Sequence, residues 1–259
     1  MLATPAYDVA LILDKGQRDT QEDAIAARVF DAAQAGYVVV ADGMGGHDAG
    51  EVASGLCVST WRAAFDGLLE DQELSQDVLV DVLPLAAMQA NAAVASHSED
   101  HRIQLGSTLL GVLLLDRNVF WISIGDSPLY LFRDDKLQQI NEDHSMAPVI
   151  DAQVAVGSLT EAQAKAHPDR NQLTSVIMGA EIPKVDSREV PFELKSSDIL
   201  VLGSDGIQFL SDTEIEQLMR AHLNAPARDI ADALLQALHA KNDPDQDNIS
   251  IAVVKPALS

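Results

Sequence analysis

The stretch Asp42-Gly43-Met44-Gly45-Gly46-His47 puts a carboxylate, three glycines and an imidazole into six residues. It follows the apolar run Tyr37-Val38-Val39-Val40-Ala41 and precedes an amphipathic pattern over residues 48 to about 69. An acid at the end of a buried strand, with glycines beside it, lets main-chain atoms come close to a small charged ligand. The plainer alternative is a strand-to-helix turn with a capping acid. The pattern recurs along the chain. Asp205 follows the apolar run 199–204 and precedes Gly206; Asp126 follows the run 119–125; Asp247 precedes the run 249–254; Glu22 and Asp23 precede Ile25. Each alone reads as an ordinary turn acid. Together they form a site if their strands deliver them to one sheet edge.

Carboxylates that converge repel one another and call for cations. Carboxylates with a backbone carbonyl and water suit Mg²⁺ or Mn²⁺. A single cysteine, Cys57, and scattered histidines do not suit zinc. Two ions sharing one carboxylate lower the pKa of a water held between them, which suits in-line attack on phosphorus. Arg18, four residues before Glu22, offers either a planar fork for phosphate oxygens or an ordinary solvated charge.

The elements that must position these acids follow from periodicity. Strands are expected over 7–13, 25–30 and 37–41, then helices over about 48–69 and 76–98, with Pro84 a possible break. Short strand-like runs at 107–115, 119–125, 129–132 and 137–140 read as an antiparallel meander. Periodicity weakens over 141–186, where one short helix is expected near 160–167 with Thr160 as its cap. So long a stretch with so little structure suggests a functional flap. Strands at 187–192, 199–204 and 249–254 and helices at about 212–222 and 225–240 complete the chain. Strand groups interrupted by helix pairs suit helices packed on antiparallel sheets.

Composition sets the outer limits. The 259 residues are 47% hydrophobic and 22% charged, enough for a sizeable core in a single domain, 1–259. The net charge of −23 makes nucleic acid and anionic membranes poor partners. Cys57 reads as a core residue. Residues 1–10 lack a basic, apolar leader, and no apolar run is expected to reach the roughly 20 residues of a membrane span, so a cytoplasmic protein is expected.

In their order the motifs resemble the metal-dependent protein Ser/Thr phosphatases, the PPM or type 2C family, and in particular its compact bacterial members. Arg18-Asp19-Thr20-Gln21-Glu22-Asp23, Asp42 to His47, Gly106-Ser107-Thr108, Gly125-Asp126-Ser127, Asp143-His144-Ser145, His167-Pro168-Asp169-Arg170-Asn171, Ser204-Asp205-Gly206 and Asp247-Asn248 carry the resemblance across nearly the whole chain. It implies an α+β fold, an αββα four-layer sandwich of two antiparallel sheets flanked by helices, with a flap at about 146–178. It implies hydrolysis of phosphoserine and phosphothreonine in proteins, with two Mn²⁺ or Mg²⁺ ions and a third, weaker one. In that pattern Asp42 bridges the metals, Asp205 and Asp247 complete one site, and Glu22 with the Gly43 carbonyl completes the other. Asp126 with Asp205 takes the third ion, and Arg18 binds the phosphate. Asp23 and Asn248 support the ligands from behind.

Three departures stand out: Gln21 where the family has Asn, Pro128 where Arg is frequent, and Met44 where many members carry an acid-donating His. His47 is therefore the candidate proton donor, with a metal-held water as the alternative. The implied partners are phosphorylated proteins and an opposing Ser/Thr kinase, and a monomer is expected. The competing readings are a catalytically silent module of this fold and a phosphatase dedicated to a partner-switch phosphoprotein such as an anti-sigma-factor antagonist.

Overall fold

The apolar runs become strands whose two faces feed different layers. In the computed structural model, which describes residues 7–45, 49–70 and 75–257, the chain opens with β1 (Tyr7–Asp14), β2 (Asp23–Phe30) and β3 (Ala35–Gly45). Helices α1 (Ala49–Phe65) and α2 (Gln76–His101) follow. Next come β4 (Leu105–Ser107), β5 (Leu109–Leu115), β6 (Asn118–Ile124), β7 (Leu129–Arg133) and β8 (Lys136–Gln139). Then α3 (Ala147–Ala155), α4 (Glu161–Lys165), β9 (Asp186–Glu193) and β10 (Ile199–Gly203) lead to α5 (Asp212–Ala221), α6 (Ala227–Lys241) and β11 (Ile249–Pro256).

The strands form two antiparallel sheets, in the orders β1-β11-β10-β7-β8 and β2-β3-β5-β6-β9, with β4 beside the end of β3. Alternation along each strand builds three apolar layers. Val38, Val40, Leu110 and Val112 face Leu200, Leu202, Ala252 and Val254 between the sheets. Tyr37, Val39, Leu109 and Leu113 point the other way, onto Trp61, Phe65 and Leu83 of α1 and α2. On the far side Val201, Ile251 and Val253 pack on Ile215 and Met219 of α5 and on Ile230 and Leu234 of α6. The result is the four-layer αββα arrangement.

The expected meander is instead two hairpins in different sheets. β5 and β6 pair in one sheet, β7 and β8 in the other, and the chain changes sheet at Asp126-Ser127-Pro128. Four short apolar strands look alike in sequence whichever sheet they join. β3 also does not stop at Ala41: it runs on to Gly45 and pairs with β4, Gly43 opposite Ser107 and Met44 opposite Gly106.

Pro84 does not break α2, which continues through it. This helix corrects the reading that no apolar run could span a membrane, since by length and composition it could. Its apolar face, Leu79, Leu83, Ala86, Ala90 and Val94, is buried in the core.

Within 146–178 Thr160 caps its helix as the sequence suggested, and Gln163 closes a capping box with it that the sequence reading did not include; α3 was not expected. It buries one residue, Ile150, and so shows no clear apolar stripe. Cys57 is fully buried, and burial pushes its thiol up to about 12, which makes it a packing residue.

Candidate metal centre

Five acids arrive at one cavity because the ends of both sheets meet there. Glu22 stands at the entry to β2, Asp42 near the end of β3, Asp126 at the change of sheet after β6, Asp205 just past β10 and Asp247 just before β11. All five line a cavity of about 740 Å³ together with Arg18, Gly43, Thr108, Asn171 and Asn248. Of the residues singled out in the sequence, the structure brings these together. His47 lies outside the described residues.

Backbone geometry explains the glycines. A Cβ on Gly43 would lie 2.0 Å from the Gly50 carbonyl oxygen and 2.5 Å from that of Glu22. A Cβ on Gly50 would lie 2.1 Å from Glu22 Oε2. Only residues without side chains let β3, the start of α1 and the Glu22 loop close this tightly. Gly50 does not stand out in the sequence, because a glycine in the first turn of a helix carries no motif of its own. Gly125 has φ +106°, a conformation other residues rarely adopt, and so turns the chain between sheets beside Asp126.

Buried hydrogen bonds fix the acids. The Asp42 N–H donates to Thr108 Oγ1 at 2.9 Å, and the Thr108 N–H returns a bond to the Asp42 carbonyl at 2.8 Å. Thr108 Oγ1 also lies 2.7 Å from Ser127 Oγ, beside Asp126. Thr108 and Ser127 therefore tie Asp42 to Asp126. Both motifs are visible in the sequence, but nothing in it assigns their hydroxyls to each other. Asn248 supports from behind: it accepts the Glu22 N–H at 2.7 Å and donates to the carbonyls of Lys15 and Thr20, both at 2.9 Å. Asp23 is buried and accepts from Ser204 Oγ at 2.6 Å. Gln21 donates to the Asp14 carbonyl and accepts the Asp23 N–H, both at 2.9 Å. Arg18 lies at the rim with Nη2 2.6 Å from Asp247 Oδ2.

The segment 146–178 joins this floor through His144, which precedes it. The His144 N–H donates to the Gly125 carbonyl at 3.0 Å, its Nδ1 accepts the Gly125 N–H at 3.3 Å, and its carbonyl accepts from the N–H and hydroxyl of Thr174. Burial lowers the His144 pKa below the ordinary imidazole value.

Electrostatics say what the cavity lacks. Burial, and then the charges of Asp23, Asp205, Asp126 and Asp247, push Asp42 well above the usual carboxylate range. Burial, then Asp205 and Asp143, raise Asp126 to about 7. Burial, then Asp247, raise Asp205 to about 6. Asp205 Oδ1 is shut off from solvent without a hydrogen-bond partner. Among the described residues no three His, Cys, Asp or Glu side chains are gathered tightly enough to cage an ion as they stand; the acids line an open cleft. An all-oxygen donor set with a shielded, unpartnered carboxylate oxygen fits hard divalent cations that keep some of their water.

The protein phosphatase 2C family matches residues 15–247. The chain is 28% identical to the protein phosphatase PhpP of Streptococcus pneumoniae over 95% of its own length and 96% of the relative's. It is 30% identical to the serine/threonine phosphatase stp of Listeria monocytogenes over 86% and 85%. A solved catalytic domain of the serine/threonine protein phosphatase PstP, in complex with two manganese ions, superposes with a TM-score of 0.74 at 29% identity, covering 96% of this chain and 97% of that one. The observed layers, the cleft and this match agree: the chain belongs to the protein phosphatase 2C family.

Proposed function

We propose that this cleft removes phosphate from phosphoserine and phosphothreonine in proteins, holding two divalent cations, Mn²⁺ or Mg²⁺, through Asp42, Asp205, Asp247, Glu22 and the Gly43 carbonyl. Asp126 with Asp205 takes a third, weaker ion. When bound, such cations lower the pKa of water and offset the charge of phosphate oxygens. The chain's own residues do the positioning. Arg18, at the cavity rim, aligns a phosphate with a guanidinium already anchored on Asp247. Thr108 and Ser127 fix the spacing of Asp42 and Asp126, and Asn248 and Asp23 hold the loops that carry Glu22 and Asp205. His47 is the proposed proton donor to the leaving alcohol. Residues 146–178 form the flap beside the cleft, and the chain acts as a monomer opposite a Ser/Thr kinase.

The observation that carries this reading is the convergence of five strand-end acids and Arg18 on one cavity. The test is hydrolysis of p-nitrophenyl phosphate and of a phosphothreonine peptide, with and without Mn²⁺. Metal-dependent release of phosphate from both is expected. No hydrolysis with either Mn²⁺ or Mg²⁺, or full activity in Asp42→Asn and Asp205→Asn, overturns the reading.

A further inference from the structure

The metal cleft is not the larger hollow in the molecule. A groove of about 1120 Å³ runs between α3 and α4 on one side and the Asp205–Phe209 turn with the start of α5 on the other. It is continuous with the cleft, because Asp126, Asn171 and Asp205 line both. A groove of this size exceeds what a phosphorylated side chain fills, and it also exceeds the usual small-molecule pocket. A substrate whose phosphate reaches the metal acids lays its neighbouring residues along this path.

The lining is mixed in a particular way. Tyr130, Pro148, Val154, Phe209 and Leu210 supply apolar surface. Seven carboxylates line the groove against two cations, Lys165 and Arg170. Asp126 and Asp205 belong to the metal set and are set aside. Asp151 is neutralised by Arg170, which grips it with both fork nitrogens at 2.6 and 2.9 Å. Asp143 also feels Arg170, which leaves Glu161, Asp212 and Asp243 against Lys165. These four acids stand on both walls: Asp143 and Glu161 on the flap side, Asp212 at the first turn of α5, Asp243 in the turn after α6. Long basic side chains match such a surface, since their methylene stems lie on apolar groups while their heads reach carboxylates.

We propose that this groove is the site that reads the residues flanking the phosphorylated one, and that it selects protein segments carrying arginine or lysine within a few positions of the phosphate. This rests on the phosphatase reading above. It goes further by naming a substrate class and the side chains that choose it. Glu161, Asp212 and Asp243 set the preference, and they contact the flanking residues rather than the phosphate.

The experiment uses the full chain with Mn²⁺ and three phosphothreonine peptides that share a length and differ only in flanks: arginine-rich, alanine and glutamate-rich. The readout is the ratio of kcat/KM between basic and acidic peptides. A preference for basic flanks of about tenfold is expected, the sum of several partly exposed charge pairs, and it shrinks as salt is raised toward 1 M. The variant Glu161→Gln/Asp212→Asn/Asp243→Asn keeps side-chain shape and removes three charges, and in it the ratio falls toward one. Equal rates on the three peptides, a preference for acidic flanks, or a ratio unchanged in the variant overturns the proposal. Hydrolysis of p-nitrophenyl phosphate separates the two levels. If that substrate is turned over while the peptide preference is absent, the groove proposal fails alone. If neither it nor any peptide is hydrolysed, the phosphatase reading fails and the groove proposal falls with it.

Discussion

The floor of the cleft and the flap beside it are built on opposite principles. The floor is made of strand ends. Asp42, Asp126, Asp205 and Asp247 each sit within two residues of a strand or inside one, and their supports are buried. The flap is made of two short helices that bury only Ile150 and Ala164, and it is held by a few bolts. These are His144 between Gly125 and Thr174, Arg170 on Asp151, and the bridge of Ile177 to Ser107. The floor spends stability on holding like charges together; the flap contributes little stability and, in the proposed function, shapes what approaches. On the proposed reading, chemistry is fixed by sheet architecture, while selection falls to a region that can vary without disturbing it.

The sharpest way to break this comparison is to damage the floor. Asp42→Asn and Asp205→Asn are expected to lower kcat on p-nitrophenyl phosphate by about a thousandfold or more, at the upper end of what losing one charge-stabilising group costs, while the far-UV circular dichroism stays native. A loss of tenfold or less would mean the floor tolerates error as the flap does.

Second comes the pH dependence of the metal-free protein. Asp126 ionises near 3.8 in the unfolded chain and at about 7 in the fold, so the fold binds the extra proton between those values. Stability therefore falls as pH rises from about 4 to about 7 and stays low above it, by up to about 4 kcal/mol for this group alone. Asp23, also raised to about 7, acts in the same direction. Urea melts in EDTA at pH 5 and pH 7.5 measure the fall, and added Mn²⁺ is expected to reverse it. At pH 7.5 in EDTA, Asp126→Asn is expected to be more stable than the parent. Flat stability across this range would contradict the picture of a strained floor.

Third, Thr108→Val keeps shape but strips the hydroxyl shared by the Asp42 N–H and Ser127. It is expected to cost about 1–3 kcal/mol in urea unfolding, because a buried donor loses its partner, and to raise the Mn²⁺ concentration needed for half-maximal activity. The smallest effect belongs to the flap. Arg170→Ala removes a pair in which Asp151 is half exposed, worth about 1 kcal/mol or less. The melting temperature should hardly move, while KM for a phosphopeptide changes more than KM for p-nitrophenyl phosphate. A large drop in melting temperature would show the flap to be part of the core.

The same contrast decides what could be read from the sequence. The floor was legible because acids at the ends of short apolar runs, two of them followed by glycine (Asp42 and Asp205), are local signals, and because β-branched apolar runs such as Tyr37 to Ala41 read as buried strands. Thr160 announced its helix through a capping pattern for the same reason. Long-range facts were not legible. Nothing in residues 105–140 tells which hairpin joins which sheet, since both are short, apolar and bounded by turns. Helix α3 was hidden because one buried residue leaves no periodicity. The continuation of β3 through Gly45 was hidden because glycine reads as a turn until a partner strand, β4, is there to pair with it.

The change of sheet at Asp126 has a consequence for the protein's lifetime. Glu22 and Asp42 belong to one sheet, Asp205 and Asp247 to the other, and Asp126 to the seam between them. Any cation shared among them staples the two halves of the sandwich, and its loss leaves their facing charges to push the halves apart. Scarcity of divalent ions would then do more than idle the enzyme. It would hasten transient opening and expose the chain to proteases, so that the number of molecules present, as well as their activity, follows metal supply.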